Sequence, residues 1–372
     1  VKRDLTALHA LAASGRPGPW WLGVLRAGLR GAAGLYGLGA GGKNLVYDLG
    51  LRKPRRLPAP VIGVGNLAVG GTGKTPLVMV VVRALLDLGL PAAVISRGYG
   101  AAAGRGGVTW VSSGQGPLSD ARQAGDEPLL LARRLPVPVA AGPDRWEVGR
   151  AVLAQCGPRV LVCDDLFQHR RLHRDLDLVA LDAARPLGNG HLLPAGHLRE
   201  PAVGLRRAGA LVLTRSADPA VVDQDRRWLR SFWGPGTVLA CGHHLAGLDD
   251  AQGQPLPPET WRGRPVLAFC GLADPDQFAA GLKRAGLTVL DCVGFADHHF
   301  FTPDELHDLW RRAKDRGAAA LVCSEKDWVR LPADLPAAPP LWVTRLELAF
   351  APDQPGLASV LAWGLAAWGA RA

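Results

Sequence analysis

Residues 59–89 read APVIGVGNLAVGGTGKTPLVMVVVRALLDLG, and the rest of the chain is organised around them. A short apolar run, Val61 to Val64, lies between upstream prolines and a glycine-rich segment, which predicts a buried strand. The loop Gly70-Gly71-Thr72-Gly73-Lys74-Thr75 follows. Pro76 stands where a first-turn proline is tolerated, an apolar helical run extends to Leu88, and Gly89 is placed to stop it. Strand, glycine loop, Lys-Thr and helix together make a phosphate cradle. Glycines let backbone N–H groups approach phosphates, and the helix N-terminus adds the positive end of its dipole. Lys74 is placed to reach the β/γ-phosphates of a nucleotide, and the Thr75 hydroxyl to ligate Mg²⁺.

The regular pattern G-x-x-x-x-G-K-[ST] is not fully met, because Ala68 occupies its first glycine position. Composition argues for the loop independently. Of 43 basic residues only seven are lysines, and Lys74 is the only one between Lys53 and Lys283. A compact ammonium suits a phosphate site where a planar guanidinium would not replace it. The overlapping stretch Gly63-Val64-Gly65-Asn66-Leu67-Ala68 fits the dinucleotide pattern G-x-G-x-x-G/A. That fingerprint requires the helix to open within the motif and an acid to end the next strand. Here the helix starts after Gly73 and Asp87 lies on it, so the dinucleotide reading is rejected.

At 372 residues the chain can form two domains with substantial cores. Hydrophobic content of 48% against 20% charged residues is globular rather than disordered. A net charge of +10 favours anionic partners. Nucleic acid is excluded as the expected partner, because the basic residues are spread along the chain and no nucleic-acid motif is present. The six cysteines show no C-x-x-C pairing and read as reduced core residues.

Before the P-loop, residues 17–50 carry Trp20, Trp21, Leu22, Val24, Leu25, Leu29, Tyr36 and Leu38 among Arg26, Arg30 and Lys43. An interfacial membrane segment and a helix packed on the protein's own core both predict such an apolar stripe, and both stand. From residue 60 strands and helices alternate, as in a parallel sheet covered by helices. Strands are expected at 61–64, 92–95, 159–163, 177–181 and 210–214, then at 265–270, 287–293, 319–323 and 341–346. Helices are expected near 275–285 and 303–316. A composition shift near 233–260 suggests a boundary, and the apolar tail 356–369 reads as a packing helix.

Four further stretches carry chemistry. Arg159 to Asp165 is an apolar strand ending in two carboxylates, Asp164 and Asp165, suited to hold Mg²⁺ opposite the P-loop lysine. Gly125-Asp126-Glu127-Pro128 places two acids at a helix start, where they either cap the helix or supply the carboxylate that accepts a hydroxyl proton. The Gly- and Pro-rich loop from Asp182 to Pro201 ends in Arg199-Glu200, and Arg199 could neutralise charge on a transferring phosphoryl group. Asp297-His298-His299 offers an imidazole oriented by an adjacent acid, with no Cys/His spacing for zinc.

Taken in order, GNLAVGGTGKTP, SRGYG, GDEP, DDLFQHRRL, RPLGNGHLLPAGHLREP, ADHHFF and SEKDWVRL closely resemble the tetraacyldisaccharide 4'-kinase, or lipid A 4'-kinase, family over roughly residues 58–330. The resemblance implies a membrane-associated kinase that uses ATP and Mg²⁺ at the cytoplasmic face of the bacterial inner membrane. It would phosphorylate the 4'-hydroxyl of a tetraacylated glucosamine disaccharide 1-phosphate to give lipid IVA, meeting an anionic membrane surface and acting as a monomer. The implied fold is an α/β, P-loop NTPase-like α/β/α sandwich with a second, smaller α/β domain joined by a short β linker. The corresponding expected bounds are 1–50 for a membrane-associated segment, 51–235 for the P-loop domain, 236–350 for the smaller domain and 351–372 for a terminal helix. Lys74 and Thr75 match the nucleotide and Mg²⁺ residues, Asp126 the catalytic acid and His298 its partner from the second domain. Glu127, Asp164, Asp165, Gln168, His169, Arg199 and Glu200 fall on motif positions near the phosphates and metal. Leu166 replaces the glycine usual after the paired aspartates, which predicts strain there if the turn needs positive φ, and His197 replaces a usual proline. A membrane-associated P-loop ATPase switch is the rival reading. It would need neither Asp126 nor His298.

Overall fold

Eight glycines stand in α1 (Trp20–Asp48), a 29-residue helix. At about 0.8–1.0 kcal/mol each they oppose helix formation, so packing must hold it. Leu22 and Ala33 are its buried residues. Tyr36 Oη donates to the Arg199 carbonyl at 2.8 Å, Lys43 Nζ to the Gln168 carbonyl at 2.9 Å, and Asn44 Nδ2 to Glu200 Oε2 at 2.8 Å. The opposite side is bare: Trp20, Val24, Leu35, Leu38 and Leu45 are 84, 66, 73, 74 and 54% exposed. Their spacings are close to multiples of 3.6, which puts them on one face. The reading of a helix packed on the protein itself therefore holds for one side, and the other side is an exposed apolar stripe. Among the described residues no helix is long and apolar enough to cross a membrane.

The computed structural model describes residues 11, 13, 17–98, 107–215, 224, 227–231, 233–234, 236–272, 274–332, 334–351 and 356–369. Tyr99 and Gly100 of the SRGYG motif lie outside the described residues. In chain order the elements after α1 are β1 (Val61–Asn66), α2 (Lys74–Asp87), β2 (Ala92–Ser96), β3 (Thr109–Ser113), α3 (Asp126–Arg134), β4 (Pro138–Ala141), α4 (Arg145–Cys156), β5 (Val160–Asp164), β6 (Leu176–Asp182), β7 (Ala210–Thr214) and β8 (Thr237–Asp250). Then come β9 (Pro265–Cys270), α5 (Pro275–Arg284), β10 (Thr288–Gly294), α6 (Pro303–Asp315), β11 (Ala320–Cys323), α7 (Glu325–Trp328), β12 (Leu341–Phe350) and α8 (Leu357–Gly369).

The chain falls into two units, one of Val1–Arg97, Ala140–Gly242 and Ala349–Ala372, the other of Gly98–Val139 and His243–Leu348. Residues 98–139, read from the sequence as part of the P-loop domain, group with 243–348. The first unit is built on a parallel sheet in the order β8-β7-β6-β1-β5-β2. Strands β1, β2, β5 and β7 are buried at every residue, as expected of parallel strands covered on both faces. Gly65 on β1 is needed for close packing, since a Cβ there would lie 2.6 Å from Phe167 Cβ and 2.9 Å from its nitrogen. The second unit carries the parallel order β10-β9-β11-β12. Its core includes Val266, Ala268, Leu282, Val322 and Trp342.

The composition shift at 233–260 contains the point, between Gly242 and His243, where the two units divide, and there β8 continues as one fourteen-residue strand rather than a loop. Gly, His and Asp along that strand mask it, because several of its positions are only half-buried. The tail forms α8, which packs on α2 and β6. All six cysteines are free, and Cys163, Cys241, Cys270 and Cys323 are buried.

Candidate active site

The carboxyl ends of the first unit's strands carry its polar groups, the usual edge for ligands in an open parallel sheet. β1 ends in Asn66, β5 in Asp164 and β7 in Thr214. Gly73, at φ 75°, is the N-cap of α2, a left-handed conformation that glycine adopts without penalty. The chain can thereby turn from loop to helix with its backbone N–H groups clustered. The helix starts at Lys74, after the G-x-G-x-x-A stretch, as rejection of the dinucleotide reading requires.

Lys74 and Thr75 are buried in the first turn. Lys74 Nζ donates to Asp165 Oδ1 at 2.8 Å and to Asn66 Oδ1 at 3.3 Å. Asn66 Nδ2 also reaches Thr72 Oγ1 at 2.9 Å, and Thr214 Oγ1 donates to the Thr72 carbonyl at 3.0 Å. Arg199 Nη1 grips Asp165 at 2.8 and 3.0 Å. Burial works against a charge on Asp165, but Lys74 and then Arg199 outweigh it and hold the carboxyl below its ordinary range. Gln168 Nε2 links the Asn66 carbonyl at 2.8 Å to Glu200 Oε1 at 3.1 Å, and Arg207 pairs with Glu200 at 2.7 Å. His169 is pushed down to about 4 by burial and by the nearby Arg145 charge, so it is a neutral imidazole at physiological pH.

Strain does not fall on Leu166. Asp165 carries the positive φ, 52°, a conformation Asp tolerates better than most residues. Leu166 is fully buried, and its N–H donates to the Val64 carbonyl at 3.3 Å. His197 contributes its carbonyl, which accepts from Val69 N at 2.8 Å. A proline would offer the same carbonyl, which accounts for the exchange.

The second unit holds the other pair. Helix α3 begins at Asp126 with Gly125 as its N-cap, and no side chain caps it. The capping role considered for Asp126 and Glu127 is therefore absent. Asp126 Oδ2 is instead 2.8 Å from His298 Nδ1 and accepts from Arg330 Nε at 2.7 Å. Burial raises the Asp126 pKa, yet the His298 hydrogen bond and the Arg330 charge prevail and leave it lowered. The same bond to Asp126, acting against burial, raises that of His298. His298 sits at φ 58°, held by a bond from its own N–H to Asp297 Oδ1 at 3.0 Å. A left-handed histidine costs about 1–3 kcal/mol, the kind of strain that clusters at functional sites. Glu127 is half-buried one residue beyond Asp126.

The structure thus brings together Gly70 to Thr75, Asp165, Arg199, Gln168 and Glu200 in one unit, and Asp126 and His298 in the other. Sequence reasoning assigned no role to Asn66, Lys43, Asn44, Arg207 or Arg330. Lys43 carried a usable signal, for it is another of the seven lysines in an arginine-rich chain. Asn66 had one too, as a buried amide at the strand end just before the loop.

A sequence model of the family described as Tetraacyldisaccharide-1-P 4'-kinase matches residues 25–365. A tetraacyldisaccharide 4'-kinase of Anaeromyxobacter sp. (strain K) is 45% identical over 338 residues, covering 90% of this chain and 88% of that protein. One from Geobacter sulfurreducens is 42% identical over 325 residues, covering 85% and 87%. The crystal structure of LpxK from Aquifex aeolicus in complex with ATP is similar at a TM-score of 0.74 and 32% identity, over 91% of this chain and 99% of that one.

Proposed function

The chain belongs to the tetraacyldisaccharide-1-P 4'-kinase family, and on that premise we propose how its residues move the γ-phosphoryl group of ATP to the 4'-hydroxyl of a tetraacylated disaccharide 1-phosphate. The P-loop N–H groups and Lys74 hold the β/γ-phosphates, and Arg199 neutralises charge gathering on the transferred group. The 4'-oxygen bonds to the γ-phosphorus while the bond to the β–γ bridging oxygen breaks, and that oxygen leaves with ADP. The hydroxyl proton goes to Asp126, which His298 orients. The observation that carries this reading is the 2.8 Å contact of His298 Nδ1 with Asp126 Oδ2. An ATPase switch has no use for it.

Among the described residues no group of three or more His, Cys, Asp or Glu side chains converges on a metal position. Mg²⁺ does not need one, since it is usually held by one or two carboxylates together with phosphate oxygens and water. The hard oxygen donors of Thr75, Asp164 and Asp165, all in the first unit, fit that pattern. When bound, the ion would offset phosphate charge. The neutral imidazole of His169 and the amide of Gln168 would then serve as hydrogen-bonding groups around the phosphates, with Glu200 bracing Gln168.

The exposed stripe of α1 and the net charge of +10 support peripheral binding to an anionic membrane surface, where an acylated substrate resides. The direct test is transfer of label from γ-³²P-ATP to the disaccharide 1-phosphate lipid, resolved by thin-layer chromatography. Label should reach the lipid with the wild type and fall near background with Asp126→Asn. Release of inorganic phosphate alone, unaffected by that substitution, would favour the switch.

A further inference from the structure

We propose that Arg330 is a positioning residue for the transfer, fixing Oδ2 of Asp126 so that Oδ1 alone is presented to the acceptor hydroxyl. The inference rests on the reading of Asp126 as the base.

The two carboxylate oxygens of Asp126 differ in their partners. Oδ2 faces two nitrogens, Arg330 Nε at 2.7 Å and His298 Nδ1 at 2.8 Å. Among the described residues no hydrogen bond to Oδ1 is present. A carboxylate anchored through one oxygen retains the other with its lone pairs for an incoming proton. The Arg330 side chain is 0% exposed, so its grip does not compete with water. Its other arm is set by Asp327, also 0% exposed, with Nη1 3.3 Å from Oδ1. Asp327 is itself fixed, accepting from Gly271 N at 3.0 Å and meeting the Ser324 hydroxyl. Gly271 follows β9 and Ser324 precedes α7, so the sheet of the second unit holds the guanidinium that holds the base.

A planar guanidinium can address two carboxylates in fixed directions, which an ammonium cannot do. Asp327 already supplies a partner for the buried cation. A purely structural ion pair would be complete without Asp126, and its loss would change stability without changing how Asp126 titrates. Counterpart groups around Asp126 are few. The loop after β10 brings His298 and Asp297, α7 brings Asp327 and the chain just beyond it Arg330, the four-residue helix Ala121–Ala124 carries Arg122, and Glu127 lies on its own helix. Removing a cation in contact with a carboxylate raises its pKa, which moves the acidic limb of activity upward.

The experiment compares wild type, Arg330→Met and Arg330→Lys in full-length protein with ATP and the disaccharide 1-phosphate lipid. Arg330→Met should lower kcat at neutral pH by about tenfold or more, the low end of a general-base loss, with KM for ATP unchanged. The acidic limb of kcat/KM should rise by about 1–3 pH units, and Arg330→Lys should bring it back toward the wild-type position. Should Arg330→Met fail to fold because Asp327 is left unpaired, the double variant Arg330→Met/Asp327→Asn removes both charges and takes its place. An acidic limb that stays where it was, or a loss confined to KM for ATP, would overturn the proposal. Titration of the ¹³C-labelled Asp126 carboxyl in the same variants separates this from failure of the base reading. Wild-type turnover by Asp126→Asn would end Asp126's role as base, whereas a carboxyl titration unmoved by Arg330→Met would end the role of Arg330.

Discussion

Lys74 and Asp165 are joined by an ion pair of 2.8 Å, and Arg199 holds the same carboxylate from another side. The lysine that would meet nucleotide phosphates thus has an anionic partner that keeps it inside the loop. Because Arg199 still balances Asp165 when Lys74 is removed, Lys74→Ala should keep its fold and lose its chemistry. We expect kcat to fall by about 10²–10³, the range for deleting one preorganised charge contact, with Tm nearly unchanged. Wild-type turnover by this variant would remove the P-loop from the mechanism.

Asp126 and His298 should behave as one unit. Asp126→Asn and His298→Ala are each expected to lower kcat by about 10²–10⁴. The double variant should be scarcely worse than the poorer single one. Multiplying losses in steady-state kinetics would return His298 to a separate role.

The same pair predicts a pH window for stability. The pKa of His298 is raised above its unfolded value of about 6.5. Its contribution is therefore complete below about pH 6.5 and is lost as pH rises through the folded pKa. Asp126 is lowered, so its contribution is present above about pH 4 and is lost as pH falls through the folded value. The Tm deficit of His298→Ala should accordingly be larger near pH 5.5 than near pH 9. Equal deficits at both would show that the charge on His298 adds nothing to folding.

Restoring glycine at position 166 should harm rather than help. Leu166 is fully buried and the left-handed residue is Asp165. Leu166→Gly is therefore expected to cost about 2–5 kcal/mol through the cavity it leaves. Urea unfolding measures this, and a gain in stability would place the strain at Leu166 after all.

The exposed stripe of α1 can be tested without touching its bonded face. The triple variant Leu35→Ser, Leu38→Ser and Leu45→Ser should move the protein from the membrane pellet to the supernatant in low detergent. Tm should hardly change, since these side chains are more than half exposed. Unaltered pelleting would put the membrane contact elsewhere.

Much of this was legible from local signals. Strands β1, β2, β5 and β7 are short, almost wholly apolar runs buried at every residue, as parallel strands covered on both faces are. The P-loop announced itself through glycine and a rare lysine. Helix α1 was less legible because its glycines argue against a helix, and the contacts that override them come from residues more than a hundred positions away. Strand β8 was hidden by half-buried polar positions. Arg330 was visible only as part of a motif, since no spacing rule connects it with Asp126, 204 residues earlier. The turn at 165–166 shows a different limit: the need for a left-handed residue could be anticipated, but not which neighbour would supply it.

Helix α1 bonds through its polar side to the carbonyls of Arg199 and Gln168 and to the carboxylate of Glu200, three residues of the candidate site. It cannot be treated as a detachable handle. A shortened preparation made for easier crystallisation or compound screening would remove those three bonds, and inhibitor potencies ranked on it would describe an altered site.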